Sequence, residues 1–566
     1  MSPGMMSPGG GTLSDSEQTK GEAQGVAWRG RWMGGALLVV VLLRLGMLGW
    51  PALTDNTESR YSVIAMHMAA SGDWVTPRFH YEGRAVPFWG KPPLLFWLTA
   101  ASFRVFGISE WSARLPGYLA GLTMLGITFA FVRRFWGSDA AVASSLVLAS
   151  SLLFFGLAGS VTVDIVLALT STAAMAAFAC FAAAPDTAAR RWWGIAFAAA
   201  LALGMLAKGP IAVALAVLSV VVWVAIMRRW ALLARYPWAW GLLVFFGLAA
   251  PWFWLAERAT PGFLRYFIVN EHILRYLQHS YGDLYGSGHT KPYGSSFPML
   301  IAGFLPWTIV LVRGTVSWFR HRATAPDAWC GYALVWGLAP VVFFAFARQL
   351  IVTYLLPGFA GLAVVAGVAL AETPPPGDER RFGTLLRWQL LAMALALGGL
   401  AGYGTRLGAP AVAVAAAVLV GAGLLLGAFR LKSRAVPALV GANAVALGAL
   451  VFLAAAVSRP QVDDRYSARI ILERAGADAA LRDRTLVFPF DEPDSAELYA
   501  RITFGRDIAH HPARGESLLR AELQRVPAPV LLMERDEWER LDAGLKARLD
   551  PRAETPNWVA CLPRPS

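Results

Sequence analysis

Apolar runs of about 20 residues, separated by short polar connections, recur along most of this chain. A run of that length and composition can cross the hydrocarbon core of a bilayer as a helix. We count about thirteen of them, and their ends are predicted only to within several residues. They lie near residues 28–50, 112–133, 139–158, 161–184, 192–207, 209–227, 238–256, 296–316, 328–347, 350–371, 385–404, 409–429 and 435–457. The pattern predicts an α-helical, polytopic membrane protein.

Two of the connections are too long and too polar to be simple links between helices. Residues 51–111 contain carboxylates, arginines, a lysine and several tryptophans, and residues 257–295 are also rich in polar side chains. Within the first of them, residues 92–107 form an apolar run that is too short to span a bilayer. Such a run predicts a helix lying in the membrane interface. We expect these two connections to carry the functional site.

Lysine and arginine gather in every second connection, as they do in the cytoplasmic loops of membrane proteins. The basic connections contain Arg133/Arg134, Arg190/Arg191, Arg228/Arg229/Arg235, Arg320/Arg322, Arg380/Arg381 and Arg430/Lys432/Arg434. This alternation predicts a cytoplasmic N-terminus and, with an odd number of spans, a C-terminus on the opposite side. Residues 51–111 and 257–295 are then predicted to lie on that same outer side.

The composition supports a membrane protein. The chain is 56% hydrophobic and 15% charged, whereas soluble domains are roughly 25% charged. Its formal net charge of +13 is accounted for by the basic loops and does not indicate a nucleic-acid partner. Cys180, Cys330 and Cys561 show neither metal-ligand spacing nor an obvious pair, which argues against a disulfide framework.

The two ends of the chain differ from its middle. Residues 1–27 are polar and glycine-rich and predict a disordered cytoplasmic tail, followed by a membrane domain over residues 28–458. From residue 459 charges become dense, and the strand-like runs TLVFPF and APVLLME alternate with the helical pattern of SAELYARI. Residues 459–566 are therefore predicted to form a small α/β domain. In it, the adjacent His510 and His511 are interpreted as a surface pair.

The first candidate site residues follow the first span. If this stretch is helical, the spacing of three between Asp55 and Glu58 puts both carboxylates on one face. They could serve as a general base or a metal-binding pair, or Asp55 could cap a helix while Glu58 is solvated. The nearby Arg60 and Tyr61 favour a site.

Three further charged residues stand in apolar surroundings. Lys91, in GKPP, could reach lipid headgroups or neutralise a bound phosphate. Asp164 lies inside an apolar run, where a carboxylate requires a partner or a polar cavity. Lys208, in AKGPIA, could pair with Asp164, contact phosphate or end a helix.

The second polar connection contributes a further group. Glu271 and Arg275 stand four residues apart in NEHILRYL, beside His272, and His289 follows in GHTKPYG. Glu271, His272 and His289 could bind a divalent metal or form a hydrogen-bonded network, since their spacing matches no specific ligand motif. Tyr354, in TYLLP, places a hydroxyl at a proline kink, which a membrane helix tolerates where it lines a cavity.

These segments resemble, in the same order, the GT-C membrane glycosyltransferases. The nearest group contains the bacterial aminoarabinose transferase that modifies lipid A, together with relatives of protein O-mannosyltransferases. The resemblance covers residues 28–370 through TESRYSVIAMHMAASGDWVTPRF, KPPLLFW, FGISEWSARLPG, the Asp164 segment, AKGPIA, NEHILRYL, the PW at 306–307 and TYLLP. It implies a GT-C-like fold in a bacterial inner membrane, with interfacial helices in the first outer loop and a periplasmic C-terminal domain.

The resemblance also implies an activity. A sugar would be transferred with inversion from undecaprenyl phosphate to lipid A, another glycan or a protein. Asp55, or alternatively Glu58, would act as the base, Asp164 would orient the acceptor, and the basic residues would hold phosphate. On this reading Asp55→Asn and Lys91→Ala should each abolish transfer. Two alternatives come from other functional classes. The chain could be a lipid transporter or flippase, or it could be a catalytically inactive scaffold.

Two positions depart from the family pattern. Members often have Asp-Glu before the x-Arg-Tyr, where this chain has Thr57-Glu58 and its nearest aspartate is Asp55. Aminoarabinose transferases also often have Glu before Lys-Pro-Pro, where this chain has Gly90. The second departure weakens both an inherited metal site and lipid A as the acceptor.

Overall fold

A computed structural model of the chain describes residues 32–55, 57–81, 83–277, 282–283, 286–287, 289–321, 328–372 and 378–564. The predicted N-terminal tail lies outside the described residues. The three cysteines are buried and free.

A bundle of apolar helices extends to Arg465, and each of the thirteen predicted runs contains a helix. The helices are Trp32–Gly46, Glu110–Trp136, Ser138–Ala149, Leu152–Leu157, Val163–Ala182, Thr187–Lys208, Pro210–Ile226, Ala231–Ala234, Trp238–Ala259, Ser296–Gly303, Thr308–His321, Ala328–Ala345, a 3₁₀ turn Val352–Gly358 that continues as Phe359–Ala371, Asp378–Arg406, Ala411–Arg430 and Val436–Arg465. Among the described residues, eight helices are long and apolar enough to cross a membrane. The bent pair Ser296–Gly303 and Thr308–Arg320, with an angle of 109° between them, would make a ninth span. The chain is a multi-pass membrane protein, and the number of crossings stays a prediction.

The first polar connection folds into a helix, a hairpin and a second helix. The helix Glu58–Ser71, called the first-loop helix below, ends at Gly72, whose φ of 74° is left-handed. Strands Arg78–Tyr81 and Arg84–Pro87 then pair antiparallel. The hairpin was not predicted, because two four-residue strands give too short an alternation. The helix Leu94–Phe106 occupies the predicted interfacial run.

The second polar connection is built around an unusual helix. Short helices Phe263–Arg265 and Arg275–Leu277 flank a π-helix, Tyr266–Leu274. Strands Gly282–Asp283 and Gly286–Ser287 follow as a small antiparallel pair. π-helical turns are rare and often occur at functional sites.

The C-terminal part forms a four-stranded sheet with helices on both faces. Its strands, in spatial order, are Leu486–Val487, Val530–Glu534, Trp558–Pro563 and Leu549–Glu554, and the first pair alone is parallel. Its helices are Arg469–Ala477, Ala479–Arg482, Asp494–Phe504, Glu516–Glu522, Arg535–Arg540 and Ala543–Ala547. Along Val530–Glu534, successive side chains enter two different apolar clusters, as the pleat of a strand requires. The strands predicted at TLVFPF and APVLLME are confirmed, whereas the last two strands were missed.

One helix of the C-terminal sheet region makes several contacts with the first polar connection. This helix, Asp494–Phe504, is called the docking helix below. Its Tyr499 hydroxyl accepts a hydrogen bond of 2.7 Å from the Leu53 amide, and its Asp494 accepts one of 2.9 Å from Arg60. The first-loop helix is thus held between the bundle and the docking helix.

Candidate active site

A polar cavity of about 640 Å³ opens between the two polar connections and the bundle; we call it the main cavity. Ten of the twelve predicted site residues line it: Glu58, Arg60, Tyr61, Lys91, Asp164, Lys208, Glu271, Arg275, His289 and Tyr354. These residues come from positions as far apart in sequence as 58 and 354. The structure therefore brings together most of the group that the sequence singled out.

A second cavity of about 360 Å³ adjoins the first, and we call it the apolar cavity. Its apolar lining comes from Pro210, Ile211, Ala214, Ile273, Leu277, Phe343 and Phe344. The two cavities share Lys91, Lys208, Glu271, Arg275 and Tyr354. Three cationic side chains therefore stand where an apolar space meets a polar one.

Asp164 and Lys208 meet because of how their helices end. Thr162 caps the helix Val163–Ala182, which places Asp164 in the first turn, where the helix dipole favours a carboxylate. Lys208 is the last residue of the neighbouring helix, where the dipole favours a cation. The ammonium binds the Asp164 carboxylate and lies 3.7 Å from the centre of the Tyr354 ring. Asp164 is 4% exposed, so this pairing removes the cost of an isolated buried charge.

The turn after Lys208 requires glycine. Gly209 has a φ of 85°, and a Cβ there would lie 2.5 Å from the Phe267 ring. Side chains of the π-helix can therefore approach this turn closely. His272 on that helix lies with its Nε2 3.2 Å from the Lys208 carbonyl oxygen.

Lys91 is held by the second polar connection. Its ammonium donates to Glu271 and, at 2.6 Å, to the Gly90 carbonyl. The Arg275 guanidinium donates to both oxygens of Glu271, at 2.8 and 2.9 Å. Burial alone would raise the pKa of Glu271, but Lys91 and Arg275 outweigh it and hold that pKa below its usual range. Glu271 is thus an ionised anchor between two cations.

Glu58 is anchored by an arginine that sequence reasoning missed. Arg114, 4% exposed, donates to both Glu58 oxygens at 3.1 and 2.6 Å, and the Val161 amide donates to the same carboxylate at 3.0 Å. Burial alone would raise the pKa of Glu58, but Arg114 outweighs it and lowers that pKa. The signal in the sequence was an arginine inside an apolar run, in EWSARLP.

Asp55 does not line either cavity, contrary to the catalytic role predicted for it. The first-loop helix begins at Glu58, so Asp55 precedes it and does not share a face with Glu58. Its carboxylate accepts hydrogen bonds from the Ser495 amide at 2.6 Å and the Ser495 hydroxyl at 2.7 Å. Asp55 therefore contacts the docking helix, and the carboxylates that reach the main cavity from the described residues are Glu58, Asp164 and Glu271.

We now expect Asp55→Asn to retain transfer activity and to change the pH dependence of stability. Burial raises the pKa of Asp55 from 3.8 to about 7. The folded protein then keeps a proton that the unfolded chain releases, so this residue makes stability fall as pH rises between those two values. Thermal unfolding of wild type and variant, measured from about pH 4 to about pH 8, should show a smaller decline in the variant. Loss of transfer by a stably folded Asp55→Asn protein would restore the catalytic role.

Arg60 and Tyr61 reach the main cavity from the first-loop helix. Arg60 is also bound to Asp494 of the docking helix at 2.9 Å. Tyr61 packs edge-on against Phe96, with ring centres 5.4 Å apart. Both residues connect the cavity to its supporting elements.

The two histidines predicted as metal ligands have different surroundings. In His272, Nδ1 lies 2.7 Å from the Phe267 carbonyl and Nε2 lies 3.2 Å from the Lys208 carbonyl. Since a ligand nitrogen needs a lone pair directed at the metal, the His272 ring is occupied by the backbone in this arrangement. His289 is exposed at the rim of the main cavity. A metal at these two residues stays a prediction.

The sequence of this chain is similar to that of known membrane transferases. Residues 51–267 match the model of the dolichyl-phosphate-mannose-protein mannosyltransferase family. The chain is 30% identical over 336 residues to an undecaprenyl phosphate-α-4-amino-4-deoxy-L-arabinose arabinosyl transferase of Enterobacter sp. (strain 638), covering 58% of this chain and 57% of the relative. A protein of the same name from Shewanella sediminis is 32% identical over 329 residues, 58% of each chain. The match thus spans less than two thirds of these relatives.

The fold extends further than the sequence match. The structure of ArnT from Cupriavidus metallidurans bound to undecaprenyl phosphate aligns with a TM-score of 0.75 at 23% identity, covering 95% of this chain and 98% of ArnT. The apo structure of the same protein aligns with a TM-score of 0.71. This chain is a multi-pass membrane protein with the fold of ArnT, and it resembles the GT-C membrane glycosyltransferases.

Proposed function

We propose that this protein transfers a sugar from a polyisoprenyl phosphate to an envelope acceptor. The observation that carries the proposal is the position of Lys91, Lys208 and Arg275 at the border between the apolar and the main cavity. A polyisoprenyl-phosphate sugar has the same three parts in the same order: an apolar tail, a phosphate and a polar sugar. ArnT was solved with undecaprenyl phosphate, and the relatives are named for a donor built on it.

The chemistry follows from charge. As the sugar leaves, negative charge builds on the departing lipid phosphate. Cations that are already fixed in place stabilise such charge without reorganisation, which is often the largest catalytic contribution. Lys91 and Lys208 are fixed by Glu271 and Asp164 before the donor arrives. They are the proposed phosphate-binding residues, with Arg275 and Arg60 in support.

Glu58 and Asp164 are the proposed residues for orienting the acceptor. Each already has a cationic partner, Arg114 or Lys208. Arg114 lowers the pKa of Glu58, which makes that carboxylate a weak base. A weak base suffices for an acceptor that is already ionised, such as a phosphate group of lipid A, which the paired cations would attract while the carboxylates limit where it can lie. The match to a protein mannosyltransferase family over residues 51–267 favours a protein hydroxyl as the second candidate acceptor.

The cavity is proposed to open on the periplasmic side of a bacterial inner membrane. The alternation of basic loops predicts that side for both polar connections. A cysteine accessibility assay on Lys291→Cys and Lys432→Cys would test it. The first residue lies in the second polar connection and the second lies in a basic loop, so an impermeant thiol reagent added to intact spheroplasts should label the former alone.

Mass spectrometry of cells that lack this chain tests the function. Lipid A and envelope glycoproteins should lose one sugar, and wild-type protein should restore it whereas Lys91→Ala should not. Loss from lipid A identifies a lipid acceptor and loss from a protein identifies a protein acceptor. Unchanged glycans, together with vectorial lipid movement by the purified protein in vesicles, would show a transporter instead.

A further inference from the structure

A second cluster of titratable side chains lies outside both cavities, where the docking helix meets the first polar connection. The Glu497 carboxylate stands between two histidines. One of its oxygens binds Nε2 of His67, and the other lies 3.1 Å from Nδ1 of His80. The three ligand atoms lie within 4.8 Å of one another. None of these residues lines the main cavity.

A third histidine completes the group. The His510 ring stacks on the His80 ring with centres 3.5 Å apart. Its Nε2 lies 3.9 Å from a Glu497 oxygen and is buried without a hydrogen-bond partner. His510 is therefore not the surface residue that the sequence indicated: its side chain is 15% exposed.

We propose that His67, His80, Glu497 and His510 bind a divalent transition metal, with Zn²⁺ preferred. Imidazole nitrogens and a carboxylate oxygen are the ligand types that Zn²⁺ takes in four-coordinate protein sites. With metal–nitrogen bonds of about 2.0 to 2.1 Å, the ligand atoms of a tetrahedral site lie about 3.3 Å apart. The distances from a Glu497 oxygen to Nδ1 of His80 and to Nε2 of His510, 3.1 and 3.9 Å, bracket that value. His67 is hydrogen-bonded directly to the other Glu497 oxygen, a contact that the metal would replace.

The surroundings orient two of the rings as a metal site requires. Metal-bound histidines usually donate their other ring N–H to a carbonyl or a carboxylate. Nδ1 of His67 lies 3.2 Å from the Arg78 carbonyl, which leaves its Nε2 to face Glu497. Nδ1 of His510 lies 2.5 Å from a Glu492 oxygen, which leaves its Nε2 to face the cluster.

The ligands come from parts of the chain more than 400 residues apart. His67 belongs to the first-loop helix, His80 to the adjacent hairpin and Glu497 to the docking helix. A metal here would join the C-terminal region to the helix that carries Glu58, Arg60 and Tyr61. This structural site is distinct from the metal predicted at His272 and His289. Metal binding at the site can be measured without a transferase assay.

Metal content decides the proposal. Full-length protein with a purification tag free of histidine is stripped with EDTA in detergent, dialysed against zinc chloride and analysed by elemental mass spectrometry. We expect one zinc ion per chain. His80→Gln and Glu497→Gln should each weaken zinc binding by at least about 10-fold in competition with a chromogenic chelator. Glu554→Gln, which changes an exposed carboxylate of the C-terminal sheet, is the matched control and should bind zinc like wild type. His289→Gln tests the separate metal predicted at His272 and His289.

Two further measurements use wild-type protein only, so they test the proposal even if a variant folds poorly. Wild-type protein loaded with Co²⁺ should show the visible absorption of a tetrahedral site, and zinc should raise its unfolding temperature because it binds the folded state. If wild-type protein retains no zinc and gives no cobalt spectrum, the cluster is a hydrogen-bonded network that binds no metal. Loss of zinc in His289→Gln but not in His80→Gln would place the metal at the other loop. Either result overturns the proposal.

Discussion

Replacing Lys91 with alanine is expected to reduce sugar transfer by about 100-fold or more, the usual cost of removing one fixed donor to a developing oxyanion. Lys91 lines both cavities, so its ammonium is placed for a phosphate at their border. The fold should survive, because Glu271 keeps both hydrogen bonds from Arg275. The measurement is the initial rate of transfer by purified protein, using the donor and acceptor that mass spectrometry identifies.

A matched lysine separates this effect from a general loss of positive charge. Lys291 is exposed, lies in the second polar connection and does not line either cavity. Lys291→Ala should therefore transfer at the wild-type rate. Equal rates for the two variants would remove Lys91 from the phosphate-binding group, whereas Lys91→Arg with partial activity would support a requirement for charge at this position.

Replacing Arg114 with alanine is expected to give the largest loss of stability of any single change at the site. Besides Glu58, its guanidinium binds the carbonyl oxygens of Leu48, Pro51 and Ala52, at 3.1, 2.6 and 2.7 Å. Removing it leaves three carbonyls without this donor and leaves the buried Glu58 carboxylate with the Val161 amide but no cation. Breaking a buried ion pair in this way typically costs about 3–5 kcal/mol. Thermal unfolding of the purified protein in detergent, and its yield from membranes, are the measurements.

Arg104 provides the comparison for Arg114. It lies on the helix Leu94–Phe106, is exposed and donates to a single carbonyl, that of Ala69. Exposed interactions of this kind are worth at most about 1 kcal/mol, so Arg104→Ala should unfold close to the wild-type temperature. If the two alanine variants unfold alike, Arg114 does not hold the loop between the first span and the first-loop helix.

The membrane architecture was predictable because it depends on short stretches of sequence. Crossing a bilayer requires about 20 apolar residues in a row, and that signal is complete within each run. The same holds for the charged residues inside those runs: Asp164 and Lys208 were conspicuous because an ion in apolar surroundings must have a partner. Their pairing was one of three roles left open for Lys208, and the packing of their two helices brings the pair together.

The roles of Asp55 and Glu58 could not be predicted from local sequence. Whether Asp55 or Glu58 faces the cavity depends on where the first-loop helix begins and on what packs against the residues before it. The partner of Asp55 is Ser495, which is 440 residues away, and no local pattern indicates it. The pairing of Arg114 with Glu58, 56 residues apart, also lacked a local signal. The histidines of the second cluster likewise come from three separate segments.

The sequence by itself determined the helical membrane architecture, the short strands at TLVFPF and APVLLME, and ten of the residues that line the main cavity. Each of these depends on hydrophobic period or on the cost of a charge in apolar surroundings, and both can be recognised locally. Only the tertiary structure decided which carboxylates reach that cavity, which cations stand at its apolar border and how the C-terminal region joins the first polar connection. Those outcomes depend on long-range packing, because the free energy of a buried charge is set by the neighbours that the fold brings to it.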